Sequence, residues 1–508
     1  MSSKILSGAV IGLNCELVEV EADVSPALPG IFIVGLPDKA VDESRERVRS
    51  AIKNSGFYVP RGKVTINLAP ADLKKEGPAY DLPIAISILI TTHQLNLKNN
   101  WDQQVFIGEL ALDGQLRPIN GVLSICLAAI EKGIKKIYLP EQNGAEASLV
   151  RGLEIYACRN LEQLVNHLSG QKLINQFTAP EFFSAGNQSI SPLYDMAFVK
   201  GQQHVKRALE IAAAGGHNIL LSGPPGAGKT LLAKTMVTIL PVMTMAESLQ
   251  VTRIYSVAGL LPSGQPLITE RPFRSPHHTA SGVALVGGGA WPRPGEISLS
   301  HRGVLFLDEF PEFPRQVLEN LRQPLEDGII SVSRAAGTLQ FPAKFILVAA
   351  MNPCPCGYLN DLDRNCSCLP AQIINYQKRI SGPLLDRIDL HVEVPKVKFD
   401  KLTGDQTAES SAEIRKRVQR VRDIEQKRFG NLGIITNSEM SSRQTKDFCA
   451  VDEKTIELLR QAVNQLGLSA RSYFRILKLS RTIADLAGEE KIKLEHVAEA
   501  LQYRPKVE

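Results

Sequence analysis

The chain has 508 residues, of which 44% are hydrophobic and 22% charged, and its formal net charge is +5. At about 150 residues per domain, this length predicts roughly three globular domains rather than a disordered or fibrous chain. The mild net charge excludes a uniformly basic nucleic-acid binder, so any basic surface must be local. The N-terminus lacks the apolar region of a signal peptide, and no run of about 18 apolar residues occurs, so we expect a cytoplasmic protein with no membrane partner.

Residues 1–170 alternate β-rich runs with helical stretches, which predicts an α+β domain. The stretch 38–54 is predicted to be helical, because apolar residues such as Val41 and Val48 recur at helical spacing with charges between them. Residues 171–192 are polar, with scattered Pro, Gly and Ser, and predict a linker to the next domain.

The order of elements in residues 1–170 resembles the proteolytic domain of the Lon family, and two motifs test the resemblance. Lon proteases carry a nucleophilic serine after Lys-Asp-Gly-Pro and a lysine base after Pro-Ile-Gly-Gly-Leu. Here Ala79 follows the run 75–78 (Lys-Glu-Gly-Pro), and Leu123 follows the run 118–122 (Pro-Ile-Asn-Gly-Val). A methyl group cannot attack a carbonyl, and an isobutyl group cannot take a proton. We therefore expect a Lon-like fold without peptidase activity, used for assembly or for holding a partner.

The next stretch predicts a nucleotide-binding loop. Residues 223–230 match G-x-x-x-x-G-K-[ST] at every fixed position, between an apolar run at 219–221 and the first turns of a helix. Backbone N–H groups and the helix dipole at such a turn bind phosphate. We expect Lys229 to reach the outer phosphates of ATP and the Thr230 hydroxyl to ligate Mg²⁺. The predicted cofactor-binding loop comprises Gly223, Pro224, Pro225, Gly226, Ala227, Gly228, Lys229 and Thr230.

Two later apolar runs end in polar side chains. The run 303–307 is followed by Asp308 and Glu309, and the run 345–351 is followed by Asn352. Ligands of open parallel sheets bind at the carboxyl ends of strands, so we expect these side chains beside the phosphate loop. Asp308 would hold Mg²⁺ and Glu309 would polarise the attacking water, while the Asn352 amide would orient that water. These residues predict ATP hydrolysis in addition to binding.

Four further segments, 271–281, 286–289, 294–301 and 335–338, carry a family resemblance. With them, the chain from residue 193 onward resembles the Mg-chelatase ATPase-subunit family within the AAA+ class. Together with its Lon-like N-terminal domain, the whole chain resembles the ComM (YifB-like) family.

The resemblance implies an α/β fold, with an AAA+ core of doubly wound parallel sheet at 193–395 and a C-terminal helical lid at 396–508. It implies a homohexameric, ATP-driven DNA motor, or helicase, that holds single-stranded or branched DNA in its pore. Such a motor promotes branch migration while DNA is integrated during natural transformation, with recombination proteins as candidate partners.

The resemblance also assigns arginines. In AAA+ rings a Leu-Leu-Asp-Arg segment supplies an arginine finger to the neighbouring subunit's nucleotide, which assigns that role to Arg387. An intramolecular salt bridge is the alternative, and Arg379 is the nearby competitor. Arg471 matches the sensor-2 arginine of the family, and Arg475, one helical turn on, is the fallback. Both kinds of arginine stabilise phosphoryl transfer by their charge.

Two inserts bear on the substrate. Residues 275–300 interrupt the core with a run of glycines and Trp291, and residues 330–341 predict a β-hairpin. In related AAA+ machines such inserts line the ring's pore, where Arg334 near the hairpin tip would meet a phosphate backbone. Packing between subunits is the alternative for the hairpin.

Two interpretations are open for each of the other basic groups. His277 and His278 have either an ordinary loop or core role or a DNA contact. The helix predicted from residue 412 is strongly basic, which fits either a solvated face or a DNA-facing stripe.

Four of the eight cysteines fall between 354 and 368. Two C-x-C pairs nine residues apart can close a tetrahedral site, and in a reducing cytoplasm thiolates favour Zn²⁺ over disulfides. Free thiols are the alternative. Since all four sulfurs would be ligands, we expect zinc to be structural, as a staple for a loop at the subunit interface. The predicted ligands are Cys354, Cys356, Cys366 and Cys368.

Three alternatives to the DNA motor stay open: a metal-chelatase motor subunit, a protein-remodelling AAA+ motor or ATP-dependent protease, and a scaffold that only binds nucleotide. The Lon-like N-terminal domain disfavours a chelatase subunit, because chelatase motor subunits typically lack such a domain. Ala79 and Leu123 disfavour a protease, and the intact Asp308 and Glu309 disfavour a scaffold.

Overall fold

The computed structural model describes residues 3–95, 103–178, 194–262, 264–289, 293–334, 337–359, 361, 364–397, 408–430 and 432–504. The chain forms two compact units. The first unit comprises Met1–Gly186 and Leu249–Ile268, and the second comprises Asn187–Ser248 and Thr269–Glu508. The segment 249–268 lies within the stretch that the sequence assigns to the ATPase core, so the units do not follow chain order. Most of the predicted linker, from residue 179 onward, is outside the described residues.

The first unit is a mixed α/β fold. Its strands are β1 (Ser3–Ile11), β2 (Asn14–Ser25), β3 (Gly30–Val34), β4 (Lys63–Ala69), β5 (Gln104–Phe106), β6 (Glu109–Leu110), β7 (Leu116–Arg117), β8 (Lys136–Pro140) and β9 (Glu154–Cys158). Its helices are α1 (Lys39–Asn54), α2 (Asp81–Thr91), α3 (Val122–Glu131), α4 (Gly144–Ala147) and α5 (Leu161–Leu168). Seven strands form one sheet in the order β3-β4-β2-β1-β5-β8-β9.

Local sequence explains these elements. In β4 the side chains alternate between buried and half-buried, as a strand with one face on a core requires. Helix α1 begins after Asp38, whose side chain accepts a hydrogen bond from the Val41 N–H at 2.8 Å and so caps the helix. Its apolar face, including Val48, is buried, as the periodicity predicts.

The segment 249–268 completes one core of the first unit. Leu267 is buried in the cluster that contains the apolar face of α3, and Leu249 packs against the same cluster. The Arg253 Nε donates to the Leu13 carbonyl at 2.9 Å and to the Ser124 hydroxyl at 3.1 Å. The segment is therefore part of the folded unit and not a surface loop.

The second unit contains strands and helices in an α/β arrangement. Its strands are β10 (Ile219–Ser222), β11 (Phe273–Arg274), β12 (Gly287–Gly288), β13 (Arg293–Pro294), β14 (Val304–Leu307), β15 (Ile329–Arg334), β16 (Gly337–Pro342), β17 (Ile346–Met351) and β18 (Leu390–Glu393). Its core helices are α6 (Gln203–Gly215), α7 (Lys229–Ile239), α8 (Met245–Ala258, which continues into the first unit), α9 (Gly282–Val286), α10 (Glu296–Leu299), α11 (Arg315–Glu319), α12 (Arg322–Asp327), α13 (Pro370–Gln377) and α14 (Gly382–Leu385).

Five parallel strands form the central sheet of this unit, in the order β11-β14-β17-β10-β18. Strands β14 and β17 are buried along their whole length, as expected for a parallel sheet covered on both faces. Because the strands are parallel, the residues that follow β10, β14 and β17 meet at one edge. The AAA+ core expected from the sequence is confirmed.

A helical lid follows the sheet. It consists of α15 (Ser411–Phe429), α16 (Ser442–Phe448), α17 (Glu453–Leu466), α18 (Ala470–Ala487) and α19 (Leu494–Gln502). Its apolar side chains, such as Val418, Ile476 and Val497, share one buried core with α6 and α7. The lid and the sheet therefore form one packed unit. In the part of the chain that the structure describes, no helix has the length and apolar character needed to cross a membrane.

Candidate nucleotide site and cysteine cluster

The phosphate loop joins β10 to α7, as predicted. Gly228 has a φ of +85°, which an L side chain rarely adopts, and it immediately precedes the helix. Gly223 has a different need, because a Cβ there would lie 2.2 Å from the Val394 carbonyl oxygen. Gln202, just before α6, donates to the Ala227 carbonyl at 3.0 Å and supports the loop. The loop thus has the backbone geometry of a phosphate cradle.

The predicted catalytic side chains converge on this loop. The Lys229 Nζ donates to the Asn352 Oδ1 at 3.0 Å and to the Gly223 carbonyl at 2.6 Å. The Thr230 hydroxyl donates to the Asp308 Oδ2 at 2.8 Å, so the two predicted Mg²⁺ ligands are adjacent. Burial lowers the pKa of the Lys229 ammonium, against the charge of Asp308. These contacts join three neighbouring strand ends in one site.

Glu309 has a partner that the sequence did not predict. Its Oε2 lies 3.0 Å from the Nδ1 of His278, and its backbone is left-handed, with a φ of +51°. The His278 ring also packs against His277, with the ring centroids 4.1 Å apart. The contact follows from topology: β11 is parallel to β14, so the residues after Arg274 meet those after Leu307.

The two predicted arginines meet elsewhere, on Glu326. Arg387 is buried and its Nη2 pairs with the Glu326 Oε2, while the Arg471 Nη2 lies 2.9 Å from the Glu326 Oε1. Burial of the carboxyl opposes ionisation, but the hydrogen bond and charge of Arg387 lower the pKa of Glu326. The fallback residue Arg475 pairs instead with Asp389 at 2.7 Å.

Arg387 and Arg471 thus both contact the carboxylate of Glu326. The competitor Arg379 pairs with Glu312 at 2.6 Å and is about half exposed. Within one chain the salt-bridge alternative for Arg387 is realised, while its role in a ring stays a prediction.

The four cysteines of the cluster, Cys354, Cys356, Cys366 and Cys368, have their sulfurs within 4.8 Å of one another. The Sγ of Cys354 lies 3.4 Å from that of Cys356 and 3.7 Å from that of Cys366. A zinc ion with Zn–S bonds of about 2.3 Å needs sulfurs about 3.8 Å apart, whereas a disulfide needs about 2.05 Å. The backbone N–H groups of Tyr358 and Ser367 lower the pKa of the Cys356 thiol. The pKa of the Cys366 thiol is raised instead, against a hydrogen bond from the Cys368 backbone, by burial and by the sulfurs of Cys356 and Cys354. The residues present fit a tetrahedral metal site.

The predicted DNA-facing groups are only partly described. Arg334 ends β15 and pairs with Gly337 across the predicted hairpin, but the hairpin tip and Trp291 are outside the described residues. On the basic helix α15, Arg417 pairs with Glu210 at 2.5 Å and Arg428 with Asp485 at 2.5 Å. These two arginines serve the packing of the second unit. The exposed basic residues of the helix are Lys416, Arg420 and Lys427.

In the first unit, the positions of the Lon dyad hold inert side chains. Leu123 is fully buried at the start of α3, and its N–H donates to the Glu146 Oε1 at 2.9 Å. Burial raises the pKa of Glu146, against the hydrogen bond from the Ser256 hydroxyl. Ala79 contributes its backbone carbonyl, which accepts the Gly108 N–H at 3.0 Å.

Sequence reasoning missed Glu326 and the pairing of His278 with Glu309. The signal for His278 in the sequence was its place in the segment 271–281, which carries the family resemblance. Nothing in the sequence marked Glu326, because its importance comes only from the two arginines that contact it.

Comparison with protein families gives three matches. Residues 195–402 match the family described as Magnesium chelatase, subunit ChlI. Residues 20–143 match Subunit ChlI of Mg-chelatase, and residues 408–504 match its C-terminal family, Magnesium chelatase, subunit ChlI C-terminal. The three matches lie in chain order.

Similar proteins cover nearly the whole chain. It is 47% identical over 507 residues to Competence protein ComM of Haemophilus influenzae, which covers 99% of this chain and 97% of that protein. It is 43% identical to the protein YifB of Escherichia coli, over 98% of this chain and 96% of that protein. A shorter similarity, 26% identity over 178 residues, links it to Lon protease 2 of Bacillus subtilis. The chain therefore belongs to the ComM and YifB family of Mg-chelatase-type AAA+ proteins, which implies ATP and Mg²⁺ as its cofactors.

Proposed function

We propose that this protein is a cytoplasmic, ATP-hydrolysing AAA+ motor that assembles as a homohexamer and drives branch migration of DNA during natural transformation. One observation carries the ATPase part: Lys229, Thr230, Asp308 and Asn352 are joined by hydrogen bonds at one sheet edge, with Glu309 beside them. The DNA part is supported by the similarity to a protein named for competence.

Each residue of the site has a distinct task in this proposal. Thr230 and Asp308 would hold Mg²⁺, which neutralises charge on the phosphates. Lys229 binds the outer phosphates in place of its present carbonyl partners, Glu309 accepts a proton from the attacking water, and Asn352 orients that water.

The hexamer is supported by the arginines. Arg387 and Arg471 converge on a single carboxylate, that of Glu326, so both can bind one anion at the same time. We propose that in the ring this anion is the outer phosphate of the neighbouring subunit's ATP, with Arg387 as the finger and Arg471 as the second sensor.

The test of the motor is ATP-dependent movement of a labelled three- or four-stranded DNA junction by the full-length protein. Wild type should convert the junction to separated products only with ATP and Mg²⁺. Glu309→Gln should bind ATP but neither hydrolyse it nor move the junction. ATP hydrolysis without binding or movement of any DNA structure would overturn the DNA assignment and favour a chelatase-like or protein-remodelling motor.

We also propose that the cysteine cluster binds one structural Zn²⁺. The measurement is elemental analysis of purified protein, with Cys449→Ala as a matched control because Cys449 is buried in the lid and outside the cluster. Wild type and the control should both carry about one zinc per chain. A zinc content far below one in wild type would favour free thiols.

A further inference from the structure

The cysteine cluster begins where the hydrolytic site ends. Asn352 directly follows β17, and Cys354, which is fully buried, comes two residues later. The side chain of Asn352 accepts a hydrogen bond from Lys229 at 3.0 Å, so any shift in this part of the backbone moves a group that contacts the phosphate-binding lysine.

After the last cysteine, the chain contacts the backbone of Asn352 and Pro353 again. Helix α13 begins two residues after Cys368, and its Tyr376 is buried, with its hydroxyl hydrogen-bonded to the backbone N–H of Asn352. The Gln377 Nε2 donates to the Pro353 carbonyl at 3.4 Å. Asn352 is therefore held from both ends of the cysteine segment.

Inside the cluster, Gly357 touches the phosphate loop itself. A Cβ added at Gly357 would lie 2.6 Å from the Cδ of Pro225 and 3.7 Å from the Cγ of Asn352. The backbone at Gly357 is left-handed, with a φ of +84°. The cluster thus packs directly on the loop that cradles phosphate.

We propose that the metal-bound cysteine cluster positions Asn352 and the phosphate loop, so that metal occupancy controls ATP binding and hydrolysis. This inference rests on the proposed ATPase and on the proposed zinc site. Four ligands on one ion fix the turn from Cys354 to Gly357, which the Gly357 N–H closes by donating to the Cys354 carbonyl at 3.0 Å, and this turn packs Gly357 against Pro225. Without the ion, no bond joins the sulfurs of Cys354 and Cys356 to those of Cys366 and Cys368, so both supports of Asn352 loosen.

The first experiment removes the two ligands that are more distant from Asn352 along the chain, in full-length Cys366→Ser/Cys368→Ser protein. We expect zinc content to fall to near zero, kcat to fall by about 10- to 100-fold, and affinity for a fluorescent ATP analogue to weaken. Thermal unfolding and circular dichroism establish that the variant is folded, and reversible removal of zinc from wild type by a chelator gives the same comparison without substitution. Loss of zinc with kcat and nucleotide affinity unchanged would overturn the inference.

A double-mutant cycle that combines Asn352→Ala with Cys366→Ser/Cys368→Ser tests whether the cluster acts through Asn352. If the cluster acts through Asn352, the combined variant should lose little more activity than the more severe of the two, because both remove the same support. Losses in kcat that multiply would show that the cluster does not act through Asn352.

Gly357→Ala tests the contact with the phosphate loop while leaving all four cysteines in place. We expect normal zinc content but nucleotide affinity weakened about fivefold or more, because the new methyl group overlaps Pro225. Gly467→Ala is the matched control, since Gly467 also has a positive φ, of +58°, but open space around it. Equal affinities in the two variants would overturn the contact. Wild type without zinc would instead overturn the metal assignment, and wild type without ATP hydrolysis would overturn the proposed function.

Discussion

At the scale of single residues, His278 bears most directly on the chemistry. Its Nδ1 lies 3.0 Å from the Glu309 Oε2, and this carboxylate is the group we assign to accept a proton from water. A carboxylate oxygen held at this distance by an imidazole nitrogen is fixed in direction and is less accessible to water. We therefore expect the contact with His278 to slow ATP hydrolysis.

His278→Ala is expected to raise ATP turnover without DNA by about 3- to 10-fold, because the Glu309 carboxylate is freed. His278→Asn should keep most of the restraint, since an asparagine Nδ2 takes the place of the histidine Nδ1. The matched control is His277→Ala, because the described side-chain contacts of His277 are with His278 and Thr279 and not with Glu309. Steady-state ATP hydrolysis measures the effect, and a fall in turnover would mean that His278 orients Glu309 for catalysis.

At the scale of elements, the basic helix α15 carries one fully buried carboxyl group, that of Glu425. Glu425 is fully buried on this helix, where its neighbours are Arg422 at 3.1 Å and the Asn437 N–H at 2.8 Å, with Asp485 and Arg428 also contributing charge. Burial raises the pKa of Glu425 to about 8, and Arg422 only partly offsets this. The helix thus anchors the lid with a group that loses its proton near neutral pH.

The stability of the second unit should therefore fall with rising pH. The folded-state pKa lies above the unfolded value of about 4.3, so the folded state binds the proton more tightly and stability is lost between about pH 4.3 and 8. Glu425→Gln stays neutral and should match wild type at pH 5 but exceed it by about 1–3 kcal/mol at pH 9. Chemical unfolding at both pH values measures this, with the exposed Asp423→Asn as control. A variant that is less stable at pH 9 would show that the charged carboxylate is favourable.

At the scale of the whole molecule, the proposed ring has active sites shared between subunits. Lys229 lies in one group of contacts and Arg387 in another, around Glu326, so each chain would supply half of two different sites.

Mixing two inactive variants tests this arrangement. Lys229→Ala and Arg387→Ala should each hydrolyse almost no ATP alone. In an equal mixture of subunits, roughly a quarter of the interfaces pair an intact lysine with an intact arginine, and activity should return toward that fraction. Arg379→Ala replaces Arg387→Ala in the control and should retain activity alone. No recovery in hexamers shown to be mixed would mean that Arg387 serves its own subunit.

The sequence predicted those parts of the site that follow from strand ends. Asp308 and Asn352 each follow an apolar run, and Lys229 belongs to the phosphate-loop motif after a third run. Parallel strands must bring such positions to one edge. The contacts of His278 and Glu326 were not predicted, because their partners are distant in sequence and only tertiary packing brings them together. The same limit applies to the segment 249–268, which the sequence assigned to the ATPase core but which packs in the first unit.

That segment also sets an order of events during synthesis. Residues 1–186 leave the ribosome well before residues 249–268, which supply Ser256 to the Glu146 carboxylate and Arg253 to the Leu13 carbonyl. Domains usually fold as units while the chain emerges, N-terminal first. Here the N-terminal unit must wait, with one core incomplete, until the phosphate loop and the helix beyond it have been made. A nascent chain that stalls between the two segments leaves apolar surface for chaperones to cover.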